Sequence, residues 1–485
     1  MLISKSRFLS GLQCDLRIWY EINAPGEVPS PGPDTLALFD MGHEVGELAQ
    51  RVYPGGGLID WSGGIDNTIS QTHEMLRKRI PIYEASFSAG NAYCRVDILN
   101  PAGERQWDLI EVKSSSQVKD VHLHDVAFQI MCARESGLDI RNAYLMHIDT
   151  SYIRHGEIDL NGLFAVEDIT ERAEELQQDV TDRLRGFETL LEEDKPSRTI
   201  GTHCSTTYEC PLIETCWSFL PDHPVTEFYR FSKERAFSLI NTGVLDIRDI
   251  PDEVSLNAIQ KIQKECVHVA DIHVDSTNLA EWLEQIEYPC GYLDFETVGS
   301  AIPLYNGTSP YQQIPFQFSL HIQQVQDGER QHVGYLAEDL SDPRYELVQA
   351  LTPIQDCRSV LAFNAGFEKR VLIQLAHHLP RHDWLTQLND RMIDLLDPFR
   401  KFWLYHPEQH GSCSLKAVLP AFTGAGYDEM EIASGDVAGS EFLRINRAEV
   451  DADERARVTK ALQEYCRQDT QAMIDLLIVL RHLCE

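Results

Sequence analysis

The 485 residues are 43% hydrophobic and 24% charged, an ordinary globular composition long enough for two or three domains, which excludes a disordered chain. Lys and Arg total 42 against 76 Asp and Glu, so the net charge is −34 and bulk electrostatics would repel a polyanion unless basic groups cluster or metal ions offset the carboxylates. That argues against a protein that simply coats nucleic acid, but less against an enzyme that gathers carboxylates around divalent metals, because the metal inverts the local sign where a phosphate meets it.

The chain begins MLISKSRFLSGLQCDLRIWY, which lacks the apolar core and cleavage site of a secretory signal, and no run of 18 or more uncharged apolar residues follows. The expectation is a cytoplasmic protein without a membrane span. Twelve cysteines are too dilute for a disulfide scaffold. Most read as small core residues, with Cys204, Cys210 and Cys216 as the exceptions.

Residues 21 to 36 form a proline-rich connection, and TLALFDMGHEVGELAQRVY after it has helical spacing. YEASFSAGNAYCRVDIL, WDLIEVKSSS and NAYLMHID read as strands, with a helix, HDVAFQIMCARESG, between the last two. A mixed α/β core is expected. The segment from Val166 to Asp194 reads as one long polar helix, and a boundary is expected near residue 221. Residues 222 to 285 read as a helical connector without obvious chemistry. From residue 287, CGYLDFETV, QIPFQFSLHIQQV and HVGYLA are adjacent strands, followed by helix, strand and a helical end. That is the order of a ribonuclease-H-like sheet.

Glu111 and Lys113 are two apart in a predicted strand and so project from one face, where a neighbouring strand can bring Asp97 to them. Two carboxylates can hold Mg²⁺ or Mn²⁺ through oxygen, while the ammonium can orient water or stabilise a phosphate as charge develops. The segment resembles the PD-(D/E)XK nuclease superfamily in its RecB-like branch, which includes the CRISPR-associated iron–sulfur nucleases. The resemblance implies a further metal ligand at His43, in MGHEVGEL, and a functional glutamine at Gln129, in VAFQIM. It departs at Ala133, where that branch often has tyrosine.

Cys204, Cys210 and Cys216 have five residues between each neighbouring pair, and thiolates favour zinc or iron–sulfur. Cys14 is the candidate fourth ligand. The same nuclease branch pairs one early cysteine with three after the core, and this resemblance implies a [4Fe–4S] cluster, with Zn²⁺ as the alternative. The gaps are wider than the branch's more common short first gap.

Asp294 and Glu296 leave one face of a strand flanked by Tyr292, Leu293 and Phe295, where buried carboxylates without a cation would be costly. Glu368 follows a later strand, and Tyr465 and Asp469 share a helical face. This set resembles the DEDD exonucleases of the ribonuclease-H-like superfamily, in the subgroup ending Tyr-x3-Asp. The resemblance implies two metals on Asp294, Glu296, Glu368 and Asp469, with Tyr465 positioning the attacking water. Glu368 stands where aspartate is usual; Asp394 and Lys416 echo accessory positions.

The expected architecture is α/β: a PD-(D/E)XK nuclease core with an iron–sulfur cluster over residues 1–220, a helical connector over 221–286 and a ribonuclease-H-like exonuclease over 287–485. The expected function is metal-dependent hydrolysis of DNA, with RNA as the alternative substrate, in defence or repair. The rival is a nucleic-acid-binding scaffold with one or both sites inactive.

Overall fold

The computed structural model describes residues 2–206, 208–447 and 449–484. It divides into two units, one running to Phe219 and taking in Ser300–Tyr311, the other formed by Leu220–Gly299 and the chain from Gln312. The protein is α/β, with a mixed sheet in each unit.

In the first unit a seven-stranded sheet runs β2 (Gly57–Leu58), β3 (Ile82–Ala89), β4 (Ala92–Ala102), β5 (Gln106–Val112), β6 (Ile140–Ile148) and β7 (Phe164–Asp168), with β1 (Ile3–Ser4) paired to β4. The first predicted strand is in fact a hairpin, because Gly90 takes φ +55 and turns the chain between β3 and β4. The segment expected as one long helix divides. Its start extends β7, which pairs antiparallel with β6, and Asp168 Oδ1 then accepts the Thr170 N–H at 2.9 Å, opening the helices Thr170–Glu175 and Gln177–Glu192. The buried Asp120–Glu135 helix covers one sheet face through Val126, Phe128 and Ile130, and the Pro33–Gln50 helix packs Val45 and Ala49 with Ile110 and Val112 of β5.

The second unit holds a five-stranded sheet ordered β11 (Arg330–Leu336), β10 (Ile314–Gln323), β9 (Cys290–Val298), β12 (Ser359–Ala362) and β13 (Met392–Asp394). The β9–β10–β11 pairs are antiparallel and β12 and β13 run parallel to β9. Every residue of β10 is buried, as expected of a central strand covered on both faces. The 31-residue Ala452–His482 helix, capped by Asp451 Oδ1 on the Glu454 N–H, lays Val458, Leu462, Tyr465, Asp469 and Met473 inward. The stretch read as a connector lies inside this unit, where β8 (His273–Val274) pairs with β14 (Leu404–Tyr405). Among the described residues no helix is long and apolar enough to cross a membrane.

Candidate metal centres

In the first unit, β4 and β5 stay paired to Ile98 and Ile110 and then part, and Asp97 Oδ2 accepts the Val112 N–H at 2.8 Å across the gap. On the same face, Lys113 Nζ donates to Glu111 Oε1 at 2.5 Å and to Asp125 Oδ2 at 2.6 Å. Gln129 Nε2 donates to Glu111 Oε2 at 2.8 Å and to Asp125 Oδ1 at 2.9 Å, and its Oε1 is buried without a partner. The structure therefore brings Asp97, Glu111, Lys113 and Gln129 together. It adds Asp125 and Lys5, which sequence reasoning missed. Asp125 is four residues before Gln129 on one helical face, a legible signal; Lys5 is 106 residues from Glu111, and its Nζ donates to Glu111 Oε1 at 2.8 Å.

Charges nearly cancel here. Burial pushes Glu111 up to about 7, helped by Asp125 and Asp97. For Asp125, burial acts upward but Lys113 and Lys5 overcome it and hold the carboxyl well below its usual range. For Lys5, burial opposes the charge, yet Asp125, Glu111 and Asp97 together raise its pKa. His43 does not join this group. It is exposed on the Pro33–Gln50 helix, whose buried Val45 and Ala49 meet Ile110 and Val112, and strand alternation points those side chains away from the face of Glu111.

Cys14, Cys204, Cys210 and Cys216 line one recess with Leu16, Leu212 and Ile213, joined by Thr199 and His203. Cys14 sits between the helices Lys5–Gln13 and Asp15–Asn23, the Cys210 N–H donates to the Cys204 carbonyl at 2.8 Å, and Gln13 Nε2 ties the loop through the carbonyls of His203 and Tyr208. Burial pushes the Cys210 and Cys216 thiols up, and Cys14 and Cys204 add to the effect.

In the second unit, Asp294 and Glu296 on β9 come within 4.8 Å of each other and of Cys466, whose Sγ lies 3.6 Å from Asp294 Oδ2. Glu368, in the first turn of the Gly366–His378 helix, is buried and its Oε2 has no partner. Tyr427 donates to Asp469 Oδ1 at 2.5 Å. Burial, reinforced by Asp469, Glu296 and Glu368, pushes Asp294 well up; burial also raises Glu296, with Asp469 adding to it and Lys416 opposing it. Burial takes Glu368 up to about 8 and Asp469 up to about 6, the latter against the hydrogen bond from Tyr427 and the charge of Lys416. Tyr465 is raised too, by burial and then by Asp469, Glu296 and Asp294. The predicted Asp294, Glu296, Glu368, Tyr465 and Asp469 thus share one buried neighbourhood.

Sequence reasoning missed Tyr427 and read Cys466 as core filler. Cys466 stands next to Tyr465 in the motif; Tyr427 carries no local signal. A Cβ on Gly435 would stand 3.2 Å from Glu296 Oε2, so the glycine lets the Gly435–Arg447 helix start beside that carboxylate. Asp394 Oδ1 accepts the N–H groups of Asn364 and Leu396, and Asp394 also raises Glu368, which places it as a support for the loop before that residue.

Residues 291–414 match a family described as a domain of unknown function, DUF2779. The match carries Asp294, Glu296 and Glu368 and stops before Tyr465 and Asp469. The chain is similar to an uncharacterized protein, MG366, of Mycoplasma genitalium, with 28% identity over 214 residues, 40% of this chain and 32% of the relative. It is also similar to the MG366 homolog of Mycoplasma pneumoniae, with 26% identity over 210 residues, 39% of this chain and 32% of that protein. The chain spans about a third of the length of these relatives.

Proposed function

We propose that the protein is a metal-dependent nuclease in which the second unit is a ribonuclease-H-like exonuclease of the DEDD type and the first a RecB-like PD-(D/E)XK domain with an iron–sulfur cluster. One observation carries the reading. Asp294, Glu296, Glu368 and Asp469, from three distant stretches of chain, crowd into one buried site where a Glu368 oxygen has no partner. Carboxylates so placed repel one another and are costly to ionise without cations, so the donor set fits Mg²⁺ or Mn²⁺. Bound there, such ions would activate water and stabilise the leaving oxygen of an in-line displacement. Tyr465 would orient the attacking water, Tyr427 holds Asp469 in position, and Lys416 would offer positive charge toward an incoming phosphate.

In the first unit Asp97, Glu111 and Asp125 would hold a metal, with Gln129 Nε2 fixing the last two while its Oε1 is buried without a partner. Cys14, Cys204, Cys210 and Cys216, which line one recess, would hold a [4Fe–4S] cluster, with zinc as the alternative. The cluster would clip the start of the unit to its end. The substrate is DNA, with RNA as the alternative polymer, and the setting is cytoplasmic.

A second reading is specific to the first unit. Three carboxylates there already face two ammonium groups, Lys5 and Lys113, so that centre is nearly neutral without metal and could bind nucleic acid without cutting it. The test is Mn²⁺-dependent digestion of end-labelled single and double strands by Asp294→Ala and Lys113→Ala variants. Loss of activity in Asp294→Ala alone makes the second unit the cutting centre. Loss in both assigns two centres, and activity retained in both defeats the proposal.

A further inference from the structure

Among the described residues, metal-ligating side chains meet once more outside these centres, where the segment whose sequence suggests only a helical connector meets a later loop. His223 and Glu227 lie on a short turn at the start of the second unit, and His410 lies 183 residues beyond Glu227. One ring nitrogen of each histidine and one Glu227 carboxylate oxygen fall mutually within 4.8 Å. His410 Nδ1 stands 3.0 Å from Glu227 Oε2, and the two imidazoles stack with centroids 5.0 Å apart. His223 is only 9% exposed, and its Nδ1 is shielded from water with no hydrogen-bond partner. A buried imidazole nitrogen left without a partner costs free energy that a bound cation would recover. Beside it, Asp222 Oδ2 lies 3.7 Å from His223 Nε2 and adds a further carboxylate.

The backbone holds these groups in place before any ligand arrives. The His223 carbonyl accepts the Ile247 N–H at 2.9 Å, and the Val225 N–H donates to the Leu245 carbonyl at 2.8 Å. The Glu227 carbonyl accepts Gln263 Nε2 at 3.0 Å. The loop bearing His410 turns through left-handed conformations at His410 and Gly411, and a Cβ on Gly411 would stand 1.8 Å from the Glu227 carbonyl oxygen. Only glycine permits that approach. An ordinary histidine–glutamate pair on a surface needs no such scaffold.

We propose that His223, Glu227 and His410 bind a single divalent transition-metal ion of the zinc type, which clips the turn at residues 223–227 to the loop at 407–412. Two imidazoles and one carboxylate form a borderline-soft donor set, unlike the all-oxygen sets that suit magnesium. The inference stands whether or not the protein cuts nucleic acid.

The experiment uses the full chain, purified anaerobically, stripped with a mild chelator and titrated with Zn²⁺ or Co²⁺ alone. Bound Co²⁺ shows weak visible bands for nitrogen and oxygen ligation and intense near-ultraviolet bands for thiolates, so the cysteine recess is read separately. The expected result is that His410→Ala and Glu227→Gln each bind a single equivalent less tightly, by about tenfold or more, with iron and sulfide content unchanged. Glu227→Gln keeps the side-chain volume and decides the matter should the alanine variant fold poorly. Equal zinc and cobalt binding by wild type and Glu227→Gln, or a wild-type cobalt spectrum with thiolate bands only, overturns the proposal.

Discussion

Tyr427 donates a 2.5 Å hydrogen bond to Asp469 across 42 residues, from a loop before the Gly435–Arg447 helix to the middle of the long C-terminal helix. The phenol thereby fixes one rotamer of a carboxylate that burial would otherwise favour in its protonated form. Partners that orient metal ligands in this way typically matter tenfold to a hundredfold. Tyr427→Phe is therefore expected to lower Mn²⁺-supported hydrolysis by about tenfold, with the loss partly recovered at high Mn²⁺. A metal titration of the rate checks this, and unchanged kinetics would remove Tyr427 from the site.

The buried carboxylates set a pH dependence for the metal-free protein. Burial raises Glu368 to about 8 and Asp469 to about 6, above the values both groups have in the unfolded chain, so the folded form holds protons that the unfolded form has lost. Stability is then greatest below about pH 4 to 5 as far as these two groups are concerned, and it declines as pH rises through 6 toward 8. Denaturant unfolding of chelator-treated protein should show a lower midpoint at pH 8 than at pH 6. Saturating Mn²⁺ should flatten that slope, because the metal replaces the protons.

Lys5 stands where positive charge is most needed in the first unit. Its ammonium is 2.8 Å from the fully buried Glu111, and removal of one partner of a buried pair usually costs about 3–5 kcal/mol. Lys5→Met should destabilise the metal-free first unit by about 3 kcal/mol, and Mn²⁺ should recover most of the loss by taking over the charge. Thermal melts with and without Mn²⁺, in an Asp294→Ala background that weakens the other centre, measure both effects. A melt of Lys5→Met that is indifferent to Mn²⁺ would show that these carboxylates do not hold metal.

Cys14 is 190 residues from Cys204, so whatever the four thiols bind joins the start of the first unit to its end. Cys14→Ser is expected to reduce iron and sulfide content and the broad visible absorbance of anaerobically purified protein. The melting temperature of the first unit should fall on the order of 5–10 °C. Full iron retention by the variant would assign the fourth ligand elsewhere.

What could be read from the sequence were relationships that a single element enforces. Asp294 and Glu296 share a face because a strand repeats every two residues, and Tyr465 and Asp469 share one because a helix returns after about four. The alternation of strands and helices likewise foretold an α/β fold with a sheet in each half. The sequence pattern misread residues 82–102, where Gly90 turns one apparent run into a hairpin, and residues 166–194, where a strand and a break interrupt polar helical spacing.

Tertiary structure alone decided the rest, because proximity between distant stretches leaves no trace in local periodicity. Lys5 reaches Glu111 only because β1 pairs with the start of β4, a stretch that β5 does not pair with, and a helix begins at Lys5 directly after it. Tyr427 reaches Asp469, and His410 reaches Glu227, through loop paths held by backbone hydrogen bonds rather than by any repeat. His43 lies apart from the carboxylates because the packing of its helix chose the opposite sheet face, a choice that the helical pattern of its neighbours does not encode.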